Sequence, residues 1–183
     1  SDLSISGWNL MALRSARLNG APVPAEAIAK AIGFVNRCHN PGKGGFDYQP
    51  GWATAAGPGG TPSPAMTAVG LLCRELTGHH NDEINRRCGD YVLKQAQGDL
   101  FTGAQYVMYK IERAYTIYYT SQAMFQLGGT HWERFAPLLY KYVLNSQGND
   151  GGWGAVNYGR AYETSMRVLA LTPSYRQLPI YQR

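Results

Sequence analysis

Apolar residues recur at helical spacing along nearly the whole chain, in two alternating styles. In the first style one face is apolar and another charged. Residues 26–37 (EAIAKAIGFVNR) set Ile28, Ile32 and Val35 on one stripe and Glu26, Lys30 and Arg37 on another. Residues 82–94 repeat the pattern with Ile84, Cys88, Tyr91 and Val92, and residues 132–146 with Phe135, Leu138, Leu139, Tyr142 and Val143. This period marks amphipathic helices with one face on a core. In the second style, residues 6–17, 63–76, 116–127 and 162–171 are apolar nearly all round. No charged side chain lies between Thr116 and Gly129. Helices of that kind belong in an interior, and their Ala, Gly and Ser residues let neighbours approach closely.

The two styles alternate as interior helix, amphipathic helix, long loop. Phe34-Val35, Tyr91-Val92 and Tyr142-Val143 mark the same point in each amphipathic helix, at spacings of 57 and 51 residues. Tetratricopeptide repeats (about 34 residues) and HEAT repeats (about 40–47) are shorter. The pattern predicts an all-α chain of about seven helices, three hairpins and one unpaired inner helix. It reads as a single domain over 1–183, with hairpin repeats at roughly 5–62, 63–113 and 114–160 and a terminal half-repeat at 161–183. Local signals set the ends. Thr130 with Glu133 reads as a capping box, and Pro24 suits a first helical turn. Gly78 to Asp82 reads as a turn and N-cap. Pro173 and Pro179 forbid a long closing helix, so the tail is expected to be extended.

Composition narrows the classes. Charged residues make up 16% of the chain, below the ~25% of ordinary soluble domains. With 13 Tyr, 4 Trp and 5 Phe, much aromatic surface must be buried or line a cavity. The net charge is +5, but the 17 Lys and Arg are scattered without a basic run, so no nucleic-acid partner is expected. No stretch approaches the ~20 apolar residues of a membrane span. Cys38, Cys73 and Cys88 form no CxxC, and their odd number fits buried thiols on helices. The chain opens at SDLSISGW without a secretory leader, which fits a domain excised from a longer protein and leaves its compartment unassigned.

Two loops stand out. Residues 147–154 read QGNDGGWG and residues 44–48 read GGFDY, each with an aromatic after Gly-Gly. The third repeat, Tyr142-Val143, then Gln147, then Gly151-Gly152-Trp153, resembles the QW motif of the terpene cyclase and protein prenyltransferase superfamily. The first repeat is a degraded copy, with Phe34-Val35, His39 and Gly44-Gly45-Phe46. The second keeps Tyr91-Val92 but has Ala96 in place of Gln and no aromatic in register in GDLFTG. Through these motifs and segments such as YYTSQAMFQLGG and AYETSMRVLAL, the chain is similar to proteins with prenyltransferase and squalene oxidase repeats. The resemblance implies an α/α toroid, with inner helices around a central cavity and outer helices facing solvent. It also implies that the Gln caps the next inner helix and stacks on the Trp. Three and a half hairpins fall short of a full ring. They imply a half-toroid that closes as a homodimer or with the rest of a longer parent protein; a small self-closed α/α barrel is the alternative.

The catalytic marks of the namesakes are missing. Cyclases of this type use a DxDD acid motif, which is absent. Asp82-Glu83, Asp90, Asp99 and Asp150 read as capping or solvated carboxylates. Cys73, His79, His80 and Cys88 match no zinc spacing, so no metal and no cofactor is expected. The remaining candidates for catalysis are Asp47 and Glu163. In α/α barrels that act on polysaccharides, paired carboxylates are expected, and these two would have to form the pair. The expected cavity mouth, at the starts of the inner helices, gives the ligand-binding candidates Trp8, Tyr115, Tyr118, Tyr119 and Tyr162, whose rings suit an isoprenoid chain. Arg113 and Arg160, near helix N-termini, could hold a diphosphate. The expectation is therefore a non-catalytic repeat domain that binds an apolar, isoprenoid-like molecule or a protein partner. The alternative is an enzyme acting on an isoprenoid or isoprenyl diphosphate.

Overall fold

The computed structural model of the protein describes residues 2–51, 62–80, 82–98, 100–101, 112–154 and 158–175. Among them are seven α-helices: α1 (Leu3–Leu18), α2 (Ala25–Arg37), α3 (Pro64–Leu76), α4 (Glu83–Gln97), α5 (Glu112–Leu127), α6 (Gly129–Asn145) and α7 (Gly159–Leu171). A short antiparallel pair, β1 (His39–Asn40) and β2 (Gly45–Phe46), interrupts the loop after α2, with His39 opposite Phe46. The protein is mostly helical, as the two hydrophobic periods require.

The helices form two rows. α1, α3, α5 and α7 pack in sequence as an inner row, and the α3–α5 contact is the most extensive in the molecule. α2, α4 and α6 lie outside, each against the inner helix before it, and α4 also packs on α6. The two central inner helices are the most enclosed. Every residue of α3 is buried, and so is α5 from Thr116 to Met124. Each buried Leu, Val or Met stabilises the fold by about 1.5–3 kcal/mol relative to exposure. α1 and α7, the ends of the row, are not among the closely packed pairs. They keep large apolar side chains in solvent: Ile5, Trp8 and Leu18 on α1, and Val168 on α7.

Small residues set the row spacing. A Cβ added to Gly7 of α1 would lie 2.4 Å from Val69 Cγ1 of α3. One added to Gly70 would lie 2.4 Å from the Phe46 ring. The outer helices bury the residues their stripes select, with Val35, Val92 and Val143 each fully buried. Cys38, Cys73 and Cys88 are free buried thiols. Burial pushes the Cys73 and Cys88 thiols up to about 12.

Several helix ends differ from the sequence reading. α5 starts at Glu112 and α7 at Gly159, so the repeat boundaries at 113/114 and 160/161 fall inside helices. α6 is capped by Gly128, at φ 71°, with no side-chain cap bond. The Thr130 capping box is therefore not used, because the chain turns from α5 into α6 through glycine backbone alone. Pro24 sits at the N-cap of α2, one residue before the first turn. Asp82 does cap α4, accepting from the Asn85 N–H at 2.8 Å. Pro173 opens a single 3₁₀ turn, Pro173–Tyr175. The tail beyond it, expected to be extended and containing Pro179, lies outside the described residues, as do Asn81, Asp99 and most of the loop after α4.

Candidate functional site

The two Gly-Gly-aromatic loops are built alike. After α6, Trp153 is buried, and its indole N–H donates to the Val143 carbonyl at 2.9 Å. Its backbone N–H donates to Thr164 Oγ1 of α7 at 3.2 Å. After α2, Phe46 is fully buried, and its backbone N–H donates to Thr67 Oγ1 of α3 at 3.1 Å. In both, the aromatic side chain is buried and its amide is tied to the next inner helix. Gly151 (φ 79°) and Gly44 (φ 67°) supply the left-handed turns that allow this. A Cβ on Gly45 would lie 2.7 Å from Thr67 Oγ1, so a side chain there would break the tie.

Gln147 and Arg160 act differently from what the resemblance implies. Gln147 is exposed, and its amide donates to the Gly151 carbonyl of its own loop at 2.7 Å. α7 has Tyr158 at its N-cap and no side-chain cap bond, so Gln147 does not cap it. Arg160 is ion-paired with Asp150, whose carboxylate also accepts from the Gly152 N–H at 3.2 Å. A Cβ on Gly152 would lie 2.6 Å from the Arg160 guanidinium, so a side chain there would displace that group from its present position. Arg160 thus closes the loop. Arg113, in the first turn of α5, is half-buried.

Four of the five aromatic candidates meet. Trp8 of α1 stacks on Tyr118 (6.4 Å, 10° between planes) and meets Tyr119 edge-on at 5.6 Å. Tyr119 in turn contacts Tyr115 at 4.5 Å and Tyr118 at 5.0 Å. The Tyr119 hydroxyl points to Met11 Sδ at 3.8 Å. Tyr118 and Tyr119 are buried, whereas Trp8 is 42% exposed. The cluster joins α1 to α5 within the N-terminal halves of both helices. Tyr162 instead pairs with Tyr158, 5.2 Å away at the start of α7. Burial, then the Glu163 and Tyr158 charges, raise its hydroxyl pKa.

The two carboxylate candidates are separate. Glu163 is 1% exposed and ion-paired with Arg167 one turn later on the same helix. Asp47 is buried beside β2, with Oδ2 accepting from Asn40 Nδ2 at 3.1 Å. Its Oδ1 is buried without a hydrogen-bond partner among the described residues, as is His39 Nε2. Burial first, then the Arg74 and Arg87 charges, lower the His39 pKa. Asp47 and Glu163 share no partner among the described residues. No group of three His, Cys, Asp or Glu side chains that could hold a metal occurs among the described residues.

Two charged features were not singled out from the sequence. One is the network around Arg74, which is 4% exposed. Its Nε donates to Asn85 Oδ1 at 2.7 Å, and its other nitrogens bond Asn36 and Asp82. It locks α2, α3 and α4 together. The other is a cleft of ≈ 830 Å³ at the opposite end of the inner helices from the Gly-Gly loops. The last turns of α1 and α3, Gln126 of α5 and the first turn of α2 meet there. Since α1, α3 and α5 all end at this cleft, these three inner helices run in one direction. Its charged walls are Arg14, Arg17, Glu75 and His80. The sequence signal was the Arg74-Glu75 pair, the only charges in the 63–76 segment.

No protein-family model matches the chain, and neither a curated protein nor a solved structure does. No described helix is long and apolar enough to cross a membrane.

Proposed function

We propose that this chain is a repeat domain of the prenyltransferase and squalene cyclase type that binds an apolar, isoprenoid-like chain without turning it over. The observation that carries this reading is Trp8, 42% exposed and stacked on the Tyr118–Tyr119–Tyr115 cluster. An aromatic wall of this kind holds hydrocarbon or polarisable chains by area and ring contact. Ile5 lies exposed about one turn before Trp8 on the same helix and lengthens the apolar surface. The arc of three hairpins and α7 is half of a toroid, closed by a second copy or by the rest of a longer protein. The absence of turnover rests on Glu163, which is already neutralised by Arg167.

Native mass spectrometry of the purified protein, followed by titration with geranylgeraniol, tests this reading. Saturable binding that Trp8→Ala abolishes is the expected result. Failure of geranylgeraniol to bind at its solubility limit overturns it. A heavier species made of a second copy or another protein, without lipid, assigns the surface to a protein partner instead. The enzyme alternative keeps one observation in its favour, the buried and unpartnered Asp47 Oδ1. It requires turnover of an isoprenyl diphosphate that Asp47→Asn removes.

A further inference from the structure

The cleft at the far end of the inner helices is separate from the aromatic surface of the reading above. Its ≈ 830 Å³ lies within the ~300–1,000 Å³ usual for small-molecule sites. Charges of both signs line it. Glu75 is 3% exposed, and its carboxylate is fixed on both oxygens. Oε1 accepts from Asn85 Nδ2 at 2.8 Å, and Oε2 meets His80 Nδ1 at 2.8 Å. Each carboxylate oxygen has two acceptor positions, so each can take one more donor. The C-terminal ends of α1, α3 and α5 add partial negative charge at the same place. A buried, oriented carboxylate among three such helix ends favours an ammonium group.

The same cleft contains two guanidinium groups from the last turns of α1. Arg14 is half-buried and donates to the Leu76 carbonyl, which holds it in place. Arg17 is exposed and forms none of the ion pairs among the described residues. A guanidinium is matched to a carboxylate by its planar fork. Leu18, Ile28 and Leu76 complete the lining with apolar surface. We propose that this cleft binds a small zwitterion with an apolar side chain, the chemistry of a hydrophobic α-amino acid. The ammonium sits on Glu75, the carboxylate on Arg17 with Arg14 beside it, and the side chain on the leucine and isoleucine surface. A simple acid leaves Glu75 without its counter-charge, and a simple amine leaves Arg17 without one.

Isothermal titration of the purified protein with L-leucine, L-methionine and L-phenylalanine tests the proposal. The expected result is a Kd below about 1 mM for at least one of them. Two leucine fragments separate the charges: 4-methylpentanoate lacks the ammonium, and 3-methylbutylamine lacks the carboxylate. Each is expected to bind at least roughly tenfold more weakly than leucine. Arg17→Ala, on an exposed side chain, is expected to leave the thermal melt unchanged and weaken amino-acid binding by about tenfold. Glu75→Gln should abolish it; if that variant fails to fold, the fragment series on the unaltered protein still reads the ammonium subsite. No binding of any of the three amino acids at 20-fold molar excess over about 1 mM overturns the proposal. So does 4-methylpentanoate binding as tightly as leucine, or Arg17→Ala without effect.

Discussion

The loop after α6 separates two accounts of how the hairpins are joined. By resemblance to QW motifs, Gln147 is the residue that ties one hairpin to the next. In this protein Gln147 is exposed, and its amide bond stays within its own loop. Removing one exposed hydrogen bond by Gln147→Ala should cost about 0.5 kcal/mol and no more than about 1.5. Trp153 is 3% exposed and bonds the Val143 carbonyl. That carbonyl also accepts from Ser146 Oγ at 2.9 Å, so Trp153→Phe does not leave it bare. The indole bond is then worth about 1 kcal/mol, and the space left by the smaller ring adds about 1–2 kcal/mol. Trp153→Phe should therefore cost about 2–3 kcal/mol, and Trp153→Ala about 3–5 kcal/mol. Against a typical total of about 5–15 kcal/mol these are large effects. Thr164→Val and Thr67→Val remove the acceptors of the Trp153 and Phe46 amides. Each should cost about 1–3 kcal/mol, and by similar amounts, if the two loops are equivalent. Urea unfolding followed by far-ultraviolet circular dichroism measures all five, with the m-value checked for constancy. A cost for Gln147→Ala equal to that of Trp153→Phe would refute the reasoning, because Gln147 would then be reaching the next helix.

Arg74→Ala removes the centre of the buried network and takes the guanidinium donors from Asn85 Oδ1 and Asp82 Oδ2, so urea unfolding should show a loss of about 2–4 kcal/mol. Gly7→Ala drives a methyl into Val69 Cγ1 and should cost about 1–3 kcal/mol; Val69→Ala in the same chain should recover part of it, read as a non-additive pair in thermal melts. Alkaline pH should destabilise the protein. The folded Cys73 and Cys88 thiols titrate at about 12 against an ordinary 9.0. Above pH 9 the unfolded chain loses these protons while the folded one keeps them, so stability is full below pH 9 and falls by about 1.4 kcal/mol per thiol per pH unit up to the folded value. Cys73→Ala should lessen the fall in the urea midpoint between pH 9 and 10. On the acid side, His39 is held neutral by burial and the Arg74 and Arg87 charges, with a pKa below 6.5. Below pH 6.5 the unfolded chain takes up a proton that the folded chain refuses, so stability falls with pH, and His39→Gln should flatten that slope.

The seven helices were legible because each carries enough apolar positions for its period to be unambiguous. Their ends were less so. The stretch Glu112-Arg113-Ala114 contains good helix formers and no breaker, so α5 extends four residues upstream of Thr116. Thr130 and Glu133 have the capping-box spacing, but Gly128 at φ 71° starts α6 before Thr130 can cap it. The β1–β2 pair has two residues in each strand, too short to show an alternating pattern. The aromatic cluster was readable as rings on inner helices, although the contact of α1 with α5 depends on packing. Tyr162 was grouped with those rings from its place on α7, yet its neighbour is Tyr158. The cleft was not readable, since it requires three inner helices to end together. Only the Arg74-Glu75 pair in a stretch otherwise without charge marked that end as unusual.

The degraded look of the repeat has a physical origin in what the loops must hold. The link between hairpins is a backbone amide donating to a threonine hydroxyl, Phe46 to Thr67 and Trp153 to Thr164. A backbone donor is the same whatever side chain the residue bears, so a Phe amide and a Trp amide make the same link. The position four residues after the marker valine is Gln147 in one repeat and His39 in the other, because neither side chain forms the link. His39 pairs through its backbone with Phe46 and rests its ring on it at 5.3 Å. Glycine is required where the chain must turn at positive φ, at Gly44 and Gly151, and where Pro62 and Thr67 approach too closely for a Cβ, at Gly45. The sequence features shared by the two loops are therefore Gly-Gly, a following aromatic, and a threonine in the next inner helix. A search for related repeats should weight that threonine above the glutamine.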